Sequence, residues 1–351
     1  MTDARIAVIA GDGIGNEVIP AGMHVLSAVA SLDFIELPWG SEHYHRTGAM
    51  MPADALDVLE RADAIYLGAV GWPTVPDHVS LWGLLLPIRK AFEQYVNLRP
   101  VRLLPGISGP LAGRGPADID MLFVRENTEG EYSGTGGRVH AGTPLEVAVE
   151  TPVFTRAAVQ RVAQYAVETA RSRSGNLVSV TKSNASRFTY VLWDEVVDEV
   201  ASQFPDVTLE RVLVDAMAAR MVLRPDTVDV VVGSNLFADI LTDLGAALQG
   251  GLGVAASANL NPERRHPSMF EPVHGSAPDI AGKDRANPLG AILAGALMLQ
   301  HLGLSSAAAR VEAAVERVTT ARHVLTRDLG GEASTNEVAQ AVVAALPATA
   351  A

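Results

Sequence analysis

The sequence has no cysteine among its 351 residues. Disulfides, thiolate nucleophiles and cysteine-ligated zinc or iron–sulfur centres are therefore excluded. Basic residues are also few, 27 against 40 acidic ones, which gives a net charge of −13. This balance argues against nucleic acid or an anionic membrane surface as the main partner.

The sequence also lacks a hydrophobic run long enough to cross a bilayer. Its most lipid-like stretch, residues 289–302, is too short and contains Gly290 and Gly295. The N-terminus enters an apolar strand within about five residues and has no signal-peptide layout. With 48% hydrophobic and 19% charged residues, the composition indicates a soluble globular protein with extensive burial. The predicted location is the cytoplasm, and the length favours two lobes.

Apolar, β-rich runs alternate with helical patterns along the chain. Buried strands are predicted at "RIAVIAGD", "DAIYLGAV", "DIDMLFVREN", "LVSVTKSN" and "VDVVVGSN", and helices at 15–30, 155–172, 188–203 and 235–249. This alternation predicts an α/β fold whose sheet is covered by helices on both faces. The segment 136–156 breaks the rhythm, because a Gly/Pro turn precedes strand-like alternation. It predicts a projecting hairpin arm that could pair with another subunit.

Two aspartates lie four residues apart in "SNLFADILTDLGAALQGG", among apolar and glycine neighbours without a basic residue. On a helix, Asp239 and Asp243 would share one face, and like charges at that spacing repel. A solvated helix face is the alternative, which the apolar neighbours disfavour. A hard divalent cation, Mg²⁺ or Mn²⁺, is the predicted counter-charge, with Asp215 as a third oxygen ligand. No histidine stands at ligand spacing in these motifs, so zinc is disfavoured.

Three arginines, Arg89, Arg99 and Arg125, stand where a strand or helix meets its loop. Such a position suits bidentate binding of a carboxylate. Each arginine taken singly is better explained as a surface ion pair, whereas a converging set would bind a dicarboxylate.

Two further polar residues follow apolar strands. Tyr132 lies in "RENTEGEYSG" and Lys182, beside Asn184, lies in "VTKSNAS". A tyrosine on its own is most often a packing residue. A lysine at the end of a buried strand is expected to be semi-buried, which suits proton transfer.

Two glycine-containing segments remain. "GDGIGNEV", residues 11–18, has Gly-x-Gly-x-Gly spacing rather than the dinucleotide fingerprint, and a plain strand-to-helix turn is the favoured interpretation, although a nucleotide could still touch it. The segment "MFEPVHGSAPDIAGKDRANP" has no hydrophobic period, so it predicts a recognition loop. Within it, Asp279 is suited to a ribose hydroxyl pair, as in NAD sites.

Together these motifs resemble a known family. "SNLFADILTDLG", "EPVHGSAPDIAGKDRANP", "RENTEGEYSG" and an Arg-x9-Arg-Pro pair are similar to the β-decarboxylating dehydrogenases, which include 3-isopropylmalate and isocitrate dehydrogenases. The similarity runs from "IAVIAGDGIG" to about residue 340. Within the family, "PDHVSLWGLLLPIRKAFEQYVNLRPVRLLPG" most resembles the tartrate/D-malate dehydrogenase (decarboxylating) branch.

The resemblance implies a two-lobed, isopropylmalate-dehydrogenase-like α/β fold with mixed sheets flanked by helices. Residues 1–99 with 251–351 would form the nucleotide-binding lobe. Residues 100–250 would form the dimerisation and metal/substrate lobe, with the dimer-forming arm at about 136–156. The implied assembly is a homodimer with an active site shared between subunits.

Matched residue by residue, the resemblance assigns roles to the candidates. Tyr132 would be the acid, and Lys182 the base acting with a partner chain. The substrate would be bound by Arg89, Arg99, Arg125, Trp82, Leu85 and Leu86. The metal would be bound by Asp215, Asp239 and Asp243, one of them contributed across the interface. NAD would be bound by Asn184, Glu271, His274, Gly275, Ser276, Ala277, Asp279, Ile280 and Asn287, and K⁺ is a further cation to consider.

The expected reaction is NAD-dependent oxidative decarboxylation of a 2-hydroxy dicarboxylate, D-malate to pyruvate and CO₂, with tartrate also used. The alternative within the family is a 3-isopropylmalate dehydrogenase of leucine biosynthesis. Leu85 and Leu86 occupy positions used against the isopropyl group, whereas the bulk of Trp82 favours a smaller substituent on C3. A magnesium-dependent hydratase or lyase and a non-catalytic nucleotide-binding module are alternatives from other classes. The predicted nucleotide loop argues against the first, and the Tyr132 and Lys182 pair against the second.

Overall fold

The computed structural model describes residues 4–347, which form two compact units. The first unit contains residues 4–94, 99–119 and 245–347, and the second contains residues 95–98 and 120–244. Residues 100–119 and 245–250, expected in the second lobe, belong to the first unit, and residues 95–98, expected in the first lobe, belong to the second unit. The amide of Leu103 donates to the Ile119 carbonyl at 3.0 Å, and the backbone of Gly106 lies directly against that of Thr319.

Both units alternate strands with helices, so the predicted α/β class is confirmed. The strands are β1 Ala4–Gly11, β2 Leu32–Glu36, β3 Ala64–Ala69, β4 Val96–Arg102, β5 Asp120–Glu126, β6 Gly136–Val139, β7 Val147–Glu150, β8 Asn176–Thr181, β9 Thr208–Leu213, β10 Val230–Gly233, β11 Ala256–Leu260 and β12 Ser268–Pro272. The helices are α1 Gly15–Ser27, α2 Ser41–Thr47, α3 Ala55–Leu59, α4 Asp77–Ser80, α5 Leu86–Ala91, α6 Arg156–Arg171, α7 Thr189–Ala201, α8 Val214–Leu223, α9 Asn235–Leu248, α10 Leu289–His301, α11 Ser305–Ala321 and α12 Thr335–Ala344. All five predicted strands and all four predicted helices are present.

In the first unit the strand order is β2-β1-β3-β12-β11, with β11 antiparallel to β12 and the other pairs parallel. Successive side chains of a strand point to opposite faces of the sheet. Ile9 and Leu67 enter a hydrophobic core with Leu84 on one face. On the other face, the Tyr66 hydroxyl donates to the Ala291 carbonyl of α10 at 2.7 Å. The sheet is therefore covered on both sides, as its continuous apolar strands predicted.

Helix α10 is the most buried helix segment of this unit, packed against α1 and α11. Gly295 allows the close approach to α1, because a Cβ there would lie 2.7 Å from a methyl carbon of Leu26. Within residues 4–347, no helix has both the length and the apolar character that crossing a membrane requires.

In the second unit four parallel strands follow the order β5-β10-β8-β9. The predicted strand β10 is buried along its whole length, whereas β9, at the end of the order, exposes Glu210 and Arg211. Charged side chains on such a strand discourage pairing with other chains. Helix α7 packs on this sheet through Trp193, which is fully buried and donates from Nε1 to the Ser179 hydroxyl at 3.0 Å.

The predicted arm is a separate two-stranded hairpin. Strands β6 and β7 pair antiparallel from Gly136 opposite Glu150 to Val139 opposite Val147. Every residue of both strands is exposed, and Leu145 in the turn between them is 73% exposed. The hairpin is confirmed, and its pairing with another subunit stays a prediction.

Candidate active site

The glycine-rich turn after β1 forms the strand-to-helix connection that the sequence predicted. The recognition loop packs against this turn. A Cβ on Gly13 would lie 2.1 Å from the Ser276 carbonyl oxygen, and one on Gly11 would lie 2.0 Å from that of Ala69. Gly11 and Gly13 have φ of +74° and +54°, in the left-handed region that favours glycine. The Ile14 amide donates to the Ser276 carbonyl at 2.9 Å. The contacts of Gly13 and Ile14 with Ser276 thus fix the middle of the recognition loop against the turn.

Two acidic side chains, one in this turn and one in the first turn of α1, hold neighbouring loops, a role that sequence reasoning missed. Asp12, 6% exposed, accepts from the Ser41 amide and hydroxyl, each at 2.7 Å, and from the Gly71 amide at 2.8 Å. Glu17 accepts from the Gly282 amide at 2.6 Å. The available signal was an acidic residue directly after a buried strand and another in the first turn of the following helix.

His274 has the features expected of a ligand-binding residue in the recognition loop. Its Nδ1 lies 3.0 Å from the Gly275 carbonyl oxygen, so a proton on Nδ1 completes that hydrogen bond. Burial lowers the pKa of His274, which keeps the ring neutral at neutral pH. Nε2 is then a buried acceptor, and it has no hydrogen-bond partner among the described residues. Because such an acceptor is costly to leave unsatisfied, it fits a ligand that donates a hydrogen bond there.

The other predicted cofactor residues of the first unit differ in exposure. Gly275 and Asp279 are exposed, Ala277 and Ile280 are half-buried, and Ser276, Glu271 and Asn287 are buried. Asn287 has a structural role: its Oδ1 accepts from the Leu289 amide at 3.0 Å and its Nδ2 donates to Asp328 at 2.9 Å. The loop therefore presents Asp279 to solvent while Asn287 ties the loop to α10.

Arg89, predicted to bind substrate, forms a buried ion pair with Glu271, predicted to bind cofactor. Arg89 Nη2 and Glu271 Oε1 are 2.8 Å apart, and each side chain is 8% exposed. Asn259 donates to the same carboxylate oxygen at 2.8 Å. Arg99, in β4, is also buried. The two arginines of the first unit are thus held within the protein interior rather than on its surface.

A π-helical turn precedes Arg89 and decides which predicted pocket residues face outward. The Leu86 amide donates to the Leu81 carbonyl, five residues back, and Pro87 follows without an amide proton. Trp82 is 42% exposed, whereas Leu86 is 3% exposed and Leu85 packs partly against the core. The Lys90 ammonium lies 4.8 Å from the centre of the Trp82 ring. Of the three predicted residues, Trp82 is the most available to a ligand.

In the second unit, Arg125 supplies a positive charge to Asp239. The Arg125 Nη1 group donates to Asp239 Oδ1, and the Tyr132 hydroxyl donates to Asp239 Oδ2 at 3.2 Å. Asn235 orients the guanidinium, accepting from Nε at 3.0 Å and from Nη2 at 2.7 Å, and donates to the Glu129 carbonyl at 3.1 Å. Sequence reasoning missed Asn235 and this counter-charge, since Arg125 is 114 positions from Asp239. Arg125, Tyr132 and Asp239 are therefore brought together.

The surroundings of Tyr132 keep its phenol protonated. Burial first, and then the Asp239 carboxylate, raise the pKa of Tyr132, while Arg125 lowers it. Because the net shift is upward, the phenol stays protonated at neutral pH and above. A protonated phenol beside a carboxylate and a guanidinium suits a general acid.

Lys182 and Asp215 form a second group in the same unit. Their Nζ and Oδ1 atoms are 2.5 Å apart, with Lys182 semi-buried, as predicted, and Asp215 66% exposed. The hydrogen bond from Lys182 lowers the pKa of Asp215. Asn184, on the loop that follows, is exposed.

The three predicted metal ligands do not form one cluster. Asp239 and Asp243 lie one turn apart on α9, as the four-residue spacing predicted, and both reach solvent. Across residues 4–347 no three acidic or histidine side chains are gathered closely enough to bind a metal ion. Two carboxylates on one helix face fit part of the oxygen ligand set that Mg²⁺ or Mn²⁺ requires.

Known proteins match this chain over nearly its whole length. The model of the isocitrate/isopropylmalate dehydrogenase family matches residues 5–342. A probable tartrate dehydrogenase/decarboxylase of Agrobacterium vitis is 55% identical, over 99% of this chain and 98% of that protein. The D-malate dehydrogenase (decarboxylating) of Escherichia coli (strain K12) is 53% identical, over 97% and 98%. The crystal structure of isocitrate dehydrogenase from Methylococcus capsulatus has a TM-score of 0.89 at 34% identity, over 97% of this chain and 99% of that one.

The two aspartates of α9 are predicted to bind Mn²⁺, which an Asp239→Asn variant tests. Replacing the carboxylate by an amide removes a charged oxygen ligand, so the affinity for Mn²⁺ should fall by at least about tenfold. Isothermal titration of the protein without substrate measures it directly. Asp33→Asn, the same change at an exposed position of β2, is the matched control. Equal Mn²⁺ affinity in both variants would show that the pair on α9 is not a metal site.

Proposed function

The chain belongs to the isocitrate/isopropylmalate dehydrogenase family, and we propose that it catalyses the NAD-dependent oxidative decarboxylation of D-malate to pyruvate and CO₂, with tartrate as a second substrate. Two relatives at more than half identity bear the names tartrate dehydrogenase/decarboxylase and D-malate dehydrogenase (decarboxylating). These names agree on a decarboxylating dehydrogenase and differ in the substrate. Family members generally use NAD and a divalent metal ion.

The observation that carries the proposal is the group formed by Arg125, Tyr132 and Asp239. It combines a cation suited to a carboxylate, a protonated phenol and a metal-type ligand on adjacent elements. A hydratase or lyase could use the arginine and the metal ligand. It would leave unexplained the His274 loop, with its buried acceptor and solvent-facing Asp279.

The residues take the following roles in the proposed reaction. When bound, NAD would supply the hydride acceptor and the divalent cation a Lewis acid. Lys182 removes the proton of the 2-hydroxyl group, which favours departure of hydride from C2. After loss of CO₂, Tyr132, which its raised pKa keeps protonated until that step, gives its proton to C3. Arg89, Arg99 and Arg125 are assigned to the substrate carboxylates.

We propose that Lys182 and Asp215 serve the active site of a second copy of the chain. Asp215 is exposed and paired with Lys182, and no three-ligand cluster exists within residues 4–347. The same unit exposes large apolar side chains on α8 and α9, with Leu223 at 70% and Ile240 at 58%, besides those of the arm. Exposed apolar surface of this kind favours a protein partner, and the family is generally homodimeric.

Mixing two inactive variants tests the shared site. Lys182→Ala and Asp239→Asn should each lose nearly all activity as pure proteins. After subunit exchange in mild denaturant, half of the dimers are mixed, and each mixed dimer has one site with both native residues. Activity should therefore return to about a quarter of the wild-type value. Two copies of one variant, treated identically, are the control, and no recovery in the mixture would place Lys182 and Asp239 in the same chain's site.

The substrate order is predicted from the group on C3. D-malate, tartrate and 3-isopropylmalate present the same 2-hydroxy dicarboxylate and differ only there. Exposed Trp82 favours a small group, and one methylene in an apolar pocket changes binding by about 1–3 kcal/mol. The value of kcat/KM, followed as NADH absorbance at fixed Mn²⁺, should fall in the order D-malate, tartrate, 3-isopropylmalate. Absence of NADH with all three would refute the dehydrogenase proposal.

Trp82→Ala should shift this order toward the bulkier acid. Removing the indole opens space next to C3, so the ratio of kcat/KM for 3-isopropylmalate to that for D-malate should rise by about tenfold. Trp39 is buried, so replacing it would damage the core and would not serve as a control. The control is Trp82→Phe, which keeps a large ring at the same position and should change the ratio less. A wild-type preference for 3-isopropylmalate would instead favour the isopropylmalate dehydrogenase alternative.

Asp279 is predicted to select NAD over NADP. Its carboxylate faces solvent and would repel a 2′-phosphate, so kcat/KM should favour NAD by at least tenfold, about 1.4 kcal/mol. The Lys283 ammonium binds the Asp279 carbonyl at 2.5 Å, so Asp279→Asn leaves a cation close by and should raise NADP use. Steady-state kinetics with both cofactors measure this, with Asp33→Asn as the control. Equal use of both cofactors by the wild-type protein would remove Asp279 from the ribose site.

A further inference from the structure

A chain of hydrogen bonds lies beside Tyr132 in the second unit. The Tyr190 hydroxyl donates to Glu131 Oε1 at 2.7 Å and lies 2.6 Å from the Ser234 hydroxyl, which accepts from the Phe237 amide at 3.4 Å. A hydroxyl has one proton and a carboxylate only accepts, so the directions are set. The Phe237 amide donates to Ser234, Ser234 to Tyr190, and Tyr190 to Glu131. Bonds ordered in this way strengthen one another.

Tyr190 connects three elements. It is the second residue of α7, 3% exposed, and its ring stacks on Phe237 of α9 with centroids 4.6 Å apart and planes 11° apart. Phe154, just before α6, packs against the same ring at 5.3 Å. The Tyr190 hydroxyl reaches the turn that contains Glu131. Moving Tyr190 would therefore move that turn relative to α9.

Glu131 links the Tyr190 hydroxyl to Tyr132. The two are neighbours in the short 3-10 turn Glu131–Ser133, and Glu131 Oε2 also accepts from the Leu236 amide in the first turn of α9 at 3.4 Å. A carboxylate at the N-terminus of a helix is favoured by the helix dipole. Asp239, which accepts from Tyr132, lies on the same helix. Glu131 thus fixes both partners of the Tyr132–Asp239 hydrogen bond.

We propose that Tyr190 is a positioning residue that, through Glu131, holds the Tyr132 phenol at the distance and angle needed to protonate C3. The inference rests on the proposed function for the chemical role of Tyr132, and on the structure alone for the anchoring. A misplacement of about 1 Å in a proton donor is enough to lower a catalytic rate strongly.

The test is Tyr190→Phe in the full-length protein. Amide hydrogen exchange in peptides covering residues 128–134 and 234–238 should become about tenfold faster, because the turn and the first turn of α9 lose their common anchor. With D-malate, NAD and Mn²⁺, kcat should fall by about tenfold while KM for D-malate changes less than about twofold. The D₂O effect on kcat should increase, because proton delivery to C3 becomes slower relative to the other steps.

Tyr66→Phe is the matched control. It removes the hydroxyl of another buried tyrosine, which donates at 2.7 Å to the Ala291 carbonyl in the first unit. It should lower Tm by a similar amount, yet leave exchange in the two peptides, kcat and the D₂O effect at wild-type values. Glu131→Ala should reproduce the effect of Tyr190→Phe, and the double variant should be no slower than either single one, since both act through one contact.

Two outcomes overturn the inference. One is unchanged exchange in both peptides of Tyr190→Phe, which would show that the hydroxyl does not anchor the turn. The other is faster exchange in both peptides of Tyr190→Phe together with an unchanged kcat and an unchanged D₂O effect, as in Tyr66→Phe. That result would show that the anchoring does not serve the reaction. A wild-type protein inactive on all three diacids overturns the proposed function instead, and exchange alone then decides the anchoring.

Discussion

The ion pair between Arg125 and Asp239 joins the end of β5 to α9, and its buried member is the guanidinium of Arg125. Tyr132 adds a hydrogen bond to the other carboxylate oxygen of Asp239. Asn235 fixes the guanidinium by accepting two of its hydrogen bonds. A guanidinium buried like that of Arg125 would be costly without a partner, so the same interactions that stabilise the fold also place the proposed acid beside a proposed metal ligand.

If Asp239 binds a divalent cation, as proposed, its carboxylate serves two states of the protein. Without a cation, Asp239 is stabilised by Arg125, whose guanidinium is equally suited to a substrate carboxylate. A divalent cation bound by Asp239 would compete for the same oxygen atoms. Arg125 would then be available to the dicarboxylate that the cation accompanies.

In the first unit, contacts within the protein hold the loops in place, and no disulfide contributes because the sequence has no cysteine. They are backbone contacts that only glycine permits, at Gly11 and Gly13, and hydrogen bonds to the carboxylates of Asp12 and Glu17. Asp12 is satisfied by three donors from two other segments, which makes its burial tolerable. The recognition loop is therefore held at its base by fixed contacts, while residues such as Asp279 remain exposed to solvent.

The sequence by itself determined the α/β class, the helix that bears Asp239 and Asp243, the hairpin arm and the family, because periodicity, turn residues and ordered motifs are local properties of a chain. It also pointed to Arg125, Tyr132 and Lys182 as candidates. Only the tertiary structure decided that Arg125 is a counter-charge of Asp239, that Arg89 pairs with Glu271, and that Tyr190 anchors the turn of Tyr132. Each of these contacts joins residues dozens of positions apart. They depend on which strands and helices pack together, and no local pattern encodes that.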